Sequence, residues 1–148
     1  MLGRLKVFSL FVFVMASIFS ICSCSKFFEL FERDEPYKLL HEKSEIIEIS
    51  IVNIIDLEAE NLEMLTVISD IEAFLTDLNK IKFGRYIIGD PVRLNHGYAI
   101  KITYKNGDYE YINDYAQQIV TEGQMHFGQY NCDKNEFNSL LKLYGIDC

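Results

Sequence analysis

Basic residues are scarce in this chain, tryptophan is missing, and proline occurs only as Pro36 and Pro91. The 148 residues hold 14 Lys and Arg against 22 Asp and Glu. Taking away residues 1–23 removes Arg4 and Lys6 but no acid, which leaves 12 basic against 22 acidic residues and a formal charge of −10. A surface charged in this way is repelled by nucleic acid and by anionic lipid headgroups, so no nucleic-acid partner is expected. The lack of proline, with 9 Tyr, 11 Phe and abundant Ile, favours strands over a disordered chain.

Motifs that carry chemistry are missing as well. There is no GxSxG and no glycine-rich loop that could cradle a phosphate. His41, His96 and His126 share no ligand spacing with one another and none lies near a CxxC, so neither a metal nor another cofactor is expected; a site built from His126, Cys132 and a distant acid is the weak exception. The acids at 56, 58, 60 and 63 lack the glycine and the closing glutamate of a calcium loop and read as a solvated turn. Two carboxylates distant in sequence would leave no local signature. A cell-envelope hydrolase using dispersed carboxylates is therefore the alternative to a protein with no catalytic activity.

What is present begins with the N-terminus. Arg4 and Lys6 precede an apolar run from Val7 to Ile21, too short for a helix that must cross roughly 30 Å of hydrocarbon. This is the layout of an export signal. Its end, Ile21-Cys22-Ser23-Cys24, resembles the lipobox of bacterial lipoproteins, which implies diacylation of Cys24; Cys22 is an unusual occupant of the variable position. A signal cut nearby without lipid and an uncleaved anchor are the other readings, and all three export the domain. A pair of acyl chains on one cysteine supplies the two hydrophobic signals that stable anchoring needs. The expected layout is a signal over 1–23, a membrane-proximal spacer over 24–44, and one domain over 45–148. With Cys24 acylated, Cys132 and Cys148 remain as thiols that would either pair in an oxidising exterior or stay free.

The domain reads as α+β. Ile47, Ile49 and Ile51 alternate with Glu48, Ser50 and Val52 in a first strand, and a second strand at 63–68 completes a hairpin. Ser69-Asp70-Ile71-Glu72 is a capping box. It opens a helix whose stripe, Ile71, Phe74, Leu75, Leu78 and Ile81, runs to a stop at Gly84. A short strand is expected at 85–88. Residues 98–105 and 108–115 flank Asn106-Gly107, the pair preferred in a two-residue type I′ loop. That loop sets Tyr104 opposite Tyr109, Ile102 opposite Tyr111 and Tyr98 opposite Tyr115, on one aromatic face, with Thr103 opposite Glu110 on the other. Residues 116–121 extend or continue the strand that starts at 108, a strand at 125–131 follows, and then comes an Asp133-capped helix with Phe137, Leu140, Leu141 and Tyr144 on one side and Gly145 as its stop. The expected order is β-β-α-β-β-β-β-α, an antiparallel sheet of about six strands with two amphipathic helices packed on it.

The first strand, the capped helix, the run Ala99-Ile100-Lys101-Ile102-Thr103-Tyr104-Lys105-Asn106-Gly107-Asp108-Tyr109-Glu110 and the closing Cys132-Asp133-Lys134-Asn135-Glu136-Phe137 helix resemble a group of small exported proteins and lipoproteins of low-GC Gram-positive bacteria. That resemblance implies export and a place at the membrane, and it transfers no catalytic or binding residue. The functional expectation is a membrane-anchored, extracytoplasmic binding module with a protein or cell-envelope partner, with an acidic immunity or inhibitor protein as a variant. If no helix covers the face of Tyr98, Tyr104, Tyr109, Tyr111 and Tyr115, those tyrosines form its recognition surface; otherwise they line the core.

Overall fold

Each helix begins where an aspartate side chain takes up free backbone N–H groups. A computed structural model describes residues 36–57, 60–85, 94, 96–128 and 130–148, all within the unit Asp34–Cys148. In it, α1 spans Ile71–Leu78 and α2 spans Lys134–Leu143. Asp133 accepts from the N–H groups of Asn135 and Glu136, as its spacing predicts. At α1 the cap is Asp70, which accepts from Ala73, in place of the expected Ser69. A carboxylate accepts more strongly than a hydroxyl and suits the positive end of the helix dipole. Helix α1 also ends a turn early. Asn79 and Lys80 form a turn closed by Ile81 N–H to Leu78 C=O at 3.1 Å, and Ile81 reaches the core from outside the helix. Gly145, at φ +82°, ends α2, with N–H bonds from Gly145 to Lys142 C=O and from Ile146 to Leu141 C=O.

Eight strands accompany the helices. β1 (Ile46–Asp56), β2 (Asn61–Val67), β4 (Gly97–Tyr104), β5 (Tyr109–Ile112), β6 (Gln117–Thr121) and β7 (Gln124–Gly128) form one antiparallel sheet in the order β2-β1-β4-β5-β6-β7. β3 (Phe83–Arg85) and β8 (Tyr130–Cys132) pair separately. The fold is α+β, as expected, and the main antiparallel sheet has the six strands anticipated; among the described residues β3 and β8 add a separate pair. The run 108–121 breaks into β5 and β6 at Asn113, whose side-chain oxygen accepts from the N–H groups of Tyr115 and Ala116. The run 125–131 divides between the two sheets. The short strand before β4 lies at Phe83–Arg85, while 86–88 falls outside the described residues. Among the described residues no helix is long and apolar enough to cross a membrane; the apolar run and Cys24 lie outside them.

The sheet is buried on both faces at its centre. Phe74, Leu75 and Leu78 of α1 and Phe137, Leu140 and Leu141 of α2 pack with Ile49, Ile51, Ile100, Ile102 and Ile112 into the main core. On the opposite face Val52, Ile54 and Ala99 form a smaller cluster with Leu57, Leu94 and Ala116. A register irregularity between Ile46 and Glu48 drops Ile47 from the alternation and leaves it 56% exposed.

The register of the central hairpin differs from the one the Asn-Gly pair suggests. Thr103 pairs with Tyr109, Lys101 with Tyr111 and Ile100 with Ile112, one residue away from the two-residue alignment. The loop holds three residues, Lys105, Asn106 and Gly107. Gly107 N–H bonds Tyr104 C=O, Tyr104 N–H bonds Asp108 C=O, and Gly107 alone of the three has positive φ, at +90°. Asn106 holds the loop closed: its Oδ1 accepts from Asp108 N–H and its Nδ2 donates to Asp108 Oδ2. The two-residue turn with both residues at positive φ occurs instead at Glu122-Gly123, between β6 and β7.

The folded unit starts earlier than Glu45. Tyr37 is 5% exposed and belongs to the main core, so part of the expected 24–44 spacer is domain. Substituting the caps checks the helix starts: Asp70→Ala is expected to lower stability by about 1 kcal/mol, whereas Ser69→Ala stays within roughly 0.5 kcal/mol. Urea midpoints of the two variants measure this, and a larger loss for Ser69→Ala would return the cap to the hydroxyl.

Candidate functional site

Moving a hairpin register by one residue turns every side chain of one strand to the opposite face. Here it turns β5 over. Glu110 enters the helix-covered face, and Tyr109 and Tyr111 leave it. The five tyrosines expected on one surface are therefore divided. Tyr98 and Tyr104 face the main core, with Tyr104 fully buried, whereas Tyr109, Tyr111 and Tyr115 pack with the smaller cluster on the other face. Tyr115 there donates to His96 C=O at 3.1 Å.

That second face, which no described helix covers, carries one row of side chains across the sheet. By register it runs Val67, Ser50, Lys101, Tyr111, Gln118, from β2 through β1, β4 and β5 to β6. Lys101 Nζ lies 4.9 Å from the centre of the Tyr109 ring and 5.7 Å from that of Tyr111, and the two rings meet edge to face at 5.6 Å. The ammonium thus rests on π faces. Burial pushes the Tyr111 phenol up to about 12, with Tyr109 and Glu60 adding to the shift. On either side of this pair, Ser50 Oγ and Gln118 Oε1 are buried with no hydrogen-bond partner. The Gln118 amide donates only to the Met125 sulfur, a weak acceptor. An unmet buried polar group costs about 1–3 kcal/mol. Sequence patterning points to neither residue, because both become neighbours of Lys101 only through pairing.

The helix-covered face holds a different polar centre, already filled. Glu110 is fully buried and its carboxylate accepts from the hydroxyls of Tyr37 and Tyr104, from Gln117 Nε2 at 2.9 Å and from Leu40 N–H at 3.2 Å. Beside it, His41 Nε2 lies 2.7 Å from Asp108 Oδ2, and the His41 ring meets that of Tyr104 edge to face at 4.9 Å. Residues 37–41 are thereby a strap fastened to the β4–β5 hairpin. Hydrogen bonds to a carboxylate contribute about 1.5–3 kcal/mol each, more than the exposed Lys43–Glu72 pair supplies at about 0–1, so the buried centre is what holds the strap. Burial first, then the Glu110 charge, raises the Tyr37 and Tyr104 hydroxyls well above the ordinary tyrosine value. The bond from His41, with help from Asn106 and Glu122 N–H, holds Asp108 below the ordinary carboxylate value. At the far end of the helices, Lys80 and Tyr144 do the same for Asp77.

The remaining candidates do not assemble. Among the described residues no group of three His, Cys, Asp or Glu side chains is placed to hold a metal ion. Cys132 and Cys148 are free thiols; burial pushes Cys132 up to about 12, and Cys148 is exposed. No family model, curated protein or solved structure matches this chain.

The buried phenols carry a pH dependence. Tyrosines in the unfolded chain ionise near pH 10, while Tyr37 and Tyr104 keep their protons when folded, so above that pH the unfolded state holds fewer protons. Their contribution is complete below about pH 10 and is lost as pH rises, at about 1.4 kcal/mol per pH unit for each tyrosine. Urea unfolding from about pH 9.5 to 11.5 should show this fall, with a slope smaller by one tyrosine in Tyr37→Phe; identical slopes would place Tyr37 in solvent. At neutral pH, Glu110→Leu removes the acceptor of four donors and should cost about 3 kcal/mol or more.

Proposed function

We propose that this chain is an exported protein tethered to the outer face of the cell membrane through a lipid on Cys24, and that its domain works as a non-enzymatic binding module. The tether rests on the basic start, the short apolar run and the Ile21-Cys22-Ser23-Cys24 end. The binding role is read from one observation: the row in which Lys101, half-buried, lies over the Tyr109 and Tyr111 rings beside the buried Ser50 and Gln118. The ammonium and the half-buried Tyr109 ring put a cation and an aromatic edge at the surface of this face, which is chemistry for holding a partner. The resemblance to small exported lipoproteins of low-GC Gram-positive bacteria agrees with this placement. The net charge of the mature chain favours a basic protein partner, as an immunity or inhibitor protein would have.

The hydrolase reading fares less well. It needs a carboxyl whose affinity for protons is raised. The carboxyls whose titration clearly departs from the ordinary, Asp77 and Asp108, are both shifted the other way, and the buried Glu110 is occupied by four donors.

Two measurements test the proposal. Mass spectrometry of the membrane-extracted protein should find a mature N-terminus at diacylated Cys24, and an unmodified terminus elsewhere would remove the tether. Pull-down from envelope extracts should retain a stoichiometric partner with the native protein and lose it by about tenfold, or about 1.4 kcal/mol, with Lys101→Met or Gln118→Leu. Equal retention by both variants would move the binding surface away from this row.

A further inference from the structure

The outermost strand of the sheet lacks the protection that edge strands usually have. β2 pairs with β1 on one side and, among the described residues, with nothing on the other. Along such a strand every second N–H and C=O points outward, a template for another strand. Natural edges are blunted by lysine, proline, short length or a covering segment. β2 reads Asn-Leu-Glu-Met-Leu-Thr-Val over 7 residues, with neither lysine nor proline, and its register irregularities against β1 are its one protective device.

The side chains along this edge alternate in chemistry. Met64 and Val67, 58% and 51% exposed, lie on the open face, while Glu63, also exposed, lies on the other. The edge itself is acidic: Glu60 and Glu63 stand at or beside β2, and no lysine or arginine lies between Lys43 and Lys80, whereas Glu45, Glu72 and Asp77 of the same stretch pair with Lys105, Lys43 and Lys80. A second copy of the chain would bring like charge to like. An extended segment with a basic residue beside Glu63 and apolar residues beside Met64 and Val67, which the register irregularity between Met64 and Thr66 brings to one face, would match both faces. The row on the open face also starts here, since Val67 stands opposite Ser50, whose hydroxyl is buried without a partner. A strand added to β2 would continue that row outward.

We infer that the free edge of β2 receives an extended, alternately basic and apolar segment of a partner protein, which adds to the sheet as a seventh strand. This deepens the binding-module proposal and rests on it. Main-chain hydrogen bonds supply the affinity of such an addition, and alternate side chains supply its selectivity.

The test uses the full chain in detergent and three synthetic peptides of equal length: alternating Lys-Val, alternating Lys-Pro and alternating Glu-Val. Lys-Val should slow amide hydrogen exchange over 61–67 by about tenfold, an effect that salt weakens. Lys-Pro has the same charge but keeps N–H donors along one of its two edges only and should give weaker protection, and Glu-Val, of the opposite charge, should give none. Met64→Lys and Val67→Lys, at exposed positions that leave the core intact, should abolish the Lys-Val effect. Equal protection by Lys-Pro, protection elsewhere only, or none at all would each overturn the edge site. An envelope partner retained without any Lys-Val protection overturns the edge and leaves the binding module standing. Lys-Val protection with no envelope partner supports the edge and counts against the wider reading.

Discussion

A carboxylate on the oily side of a sheet has to be surrounded by donors before the fold can close over it. Glu110 meets that condition by drawing on separate stretches of chain: the strap through Tyr37 and Leu40, β4 through Tyr104, and β6 through Gln117. No local segment could satisfy it alone. The strap, the hairpin and β6 therefore become one cooperative piece, and the helices that cover this face close on a surface whose buried carboxylates, Glu110 and Asp108, are already satisfied.

The position of Glu110 depends in turn on a loop of three residues. Asn106 and Asp108 bond to each other through side chain and main chain, and Asp108 also takes His41 and Glu122 N–H. The same contacts that seat the strap thus choose the register of β5. That choice puts Tyr109 and Tyr111 under the Lys101 ammonium on the opposite face. The polar centre beneath the helices and the Lys101 row on the other face are two results of a single alignment.

Much of this architecture is legible in the chain. The stripes Phe74-Leu75-Leu78 and Phe137-Leu140-Leu141 mark the buried sides of both helices, because helical burial is a local, periodic property. The antiparallel hairpins and the α+β class follow from the same kind of pattern. Three things are not local. An Asn-Gly pair fits both a two-residue turn and a three-residue loop with glycine in the left-handed position, and the decision rests with Asp108 and His41, which is 67 residues away. Residues 37–41 have no periodicity and read as spacer, since Tyr37 acquires meaning only through Glu110, 73 residues on. A glutamate among the tyrosines of β5 is the one local sign of this centre, and taken alone it points to solvent. The row on the open face depended on the same alignment, so it could not be assembled from sequence.

The strap also determines where tension would enter the domain. A pull on the chain from its N-terminal side arrives first at Tyr37 and is passed through the Tyr37 hydroxyl and the Leu40 amide to β5, an interior strand of the six in the sheet. An edge strand under tension can be peeled away one bond at a time, whereas these bonds, with His41–Asp108 beside them, share the force. Under such a pull the domain is held at its middle, and both of its outer strands are spared the strain.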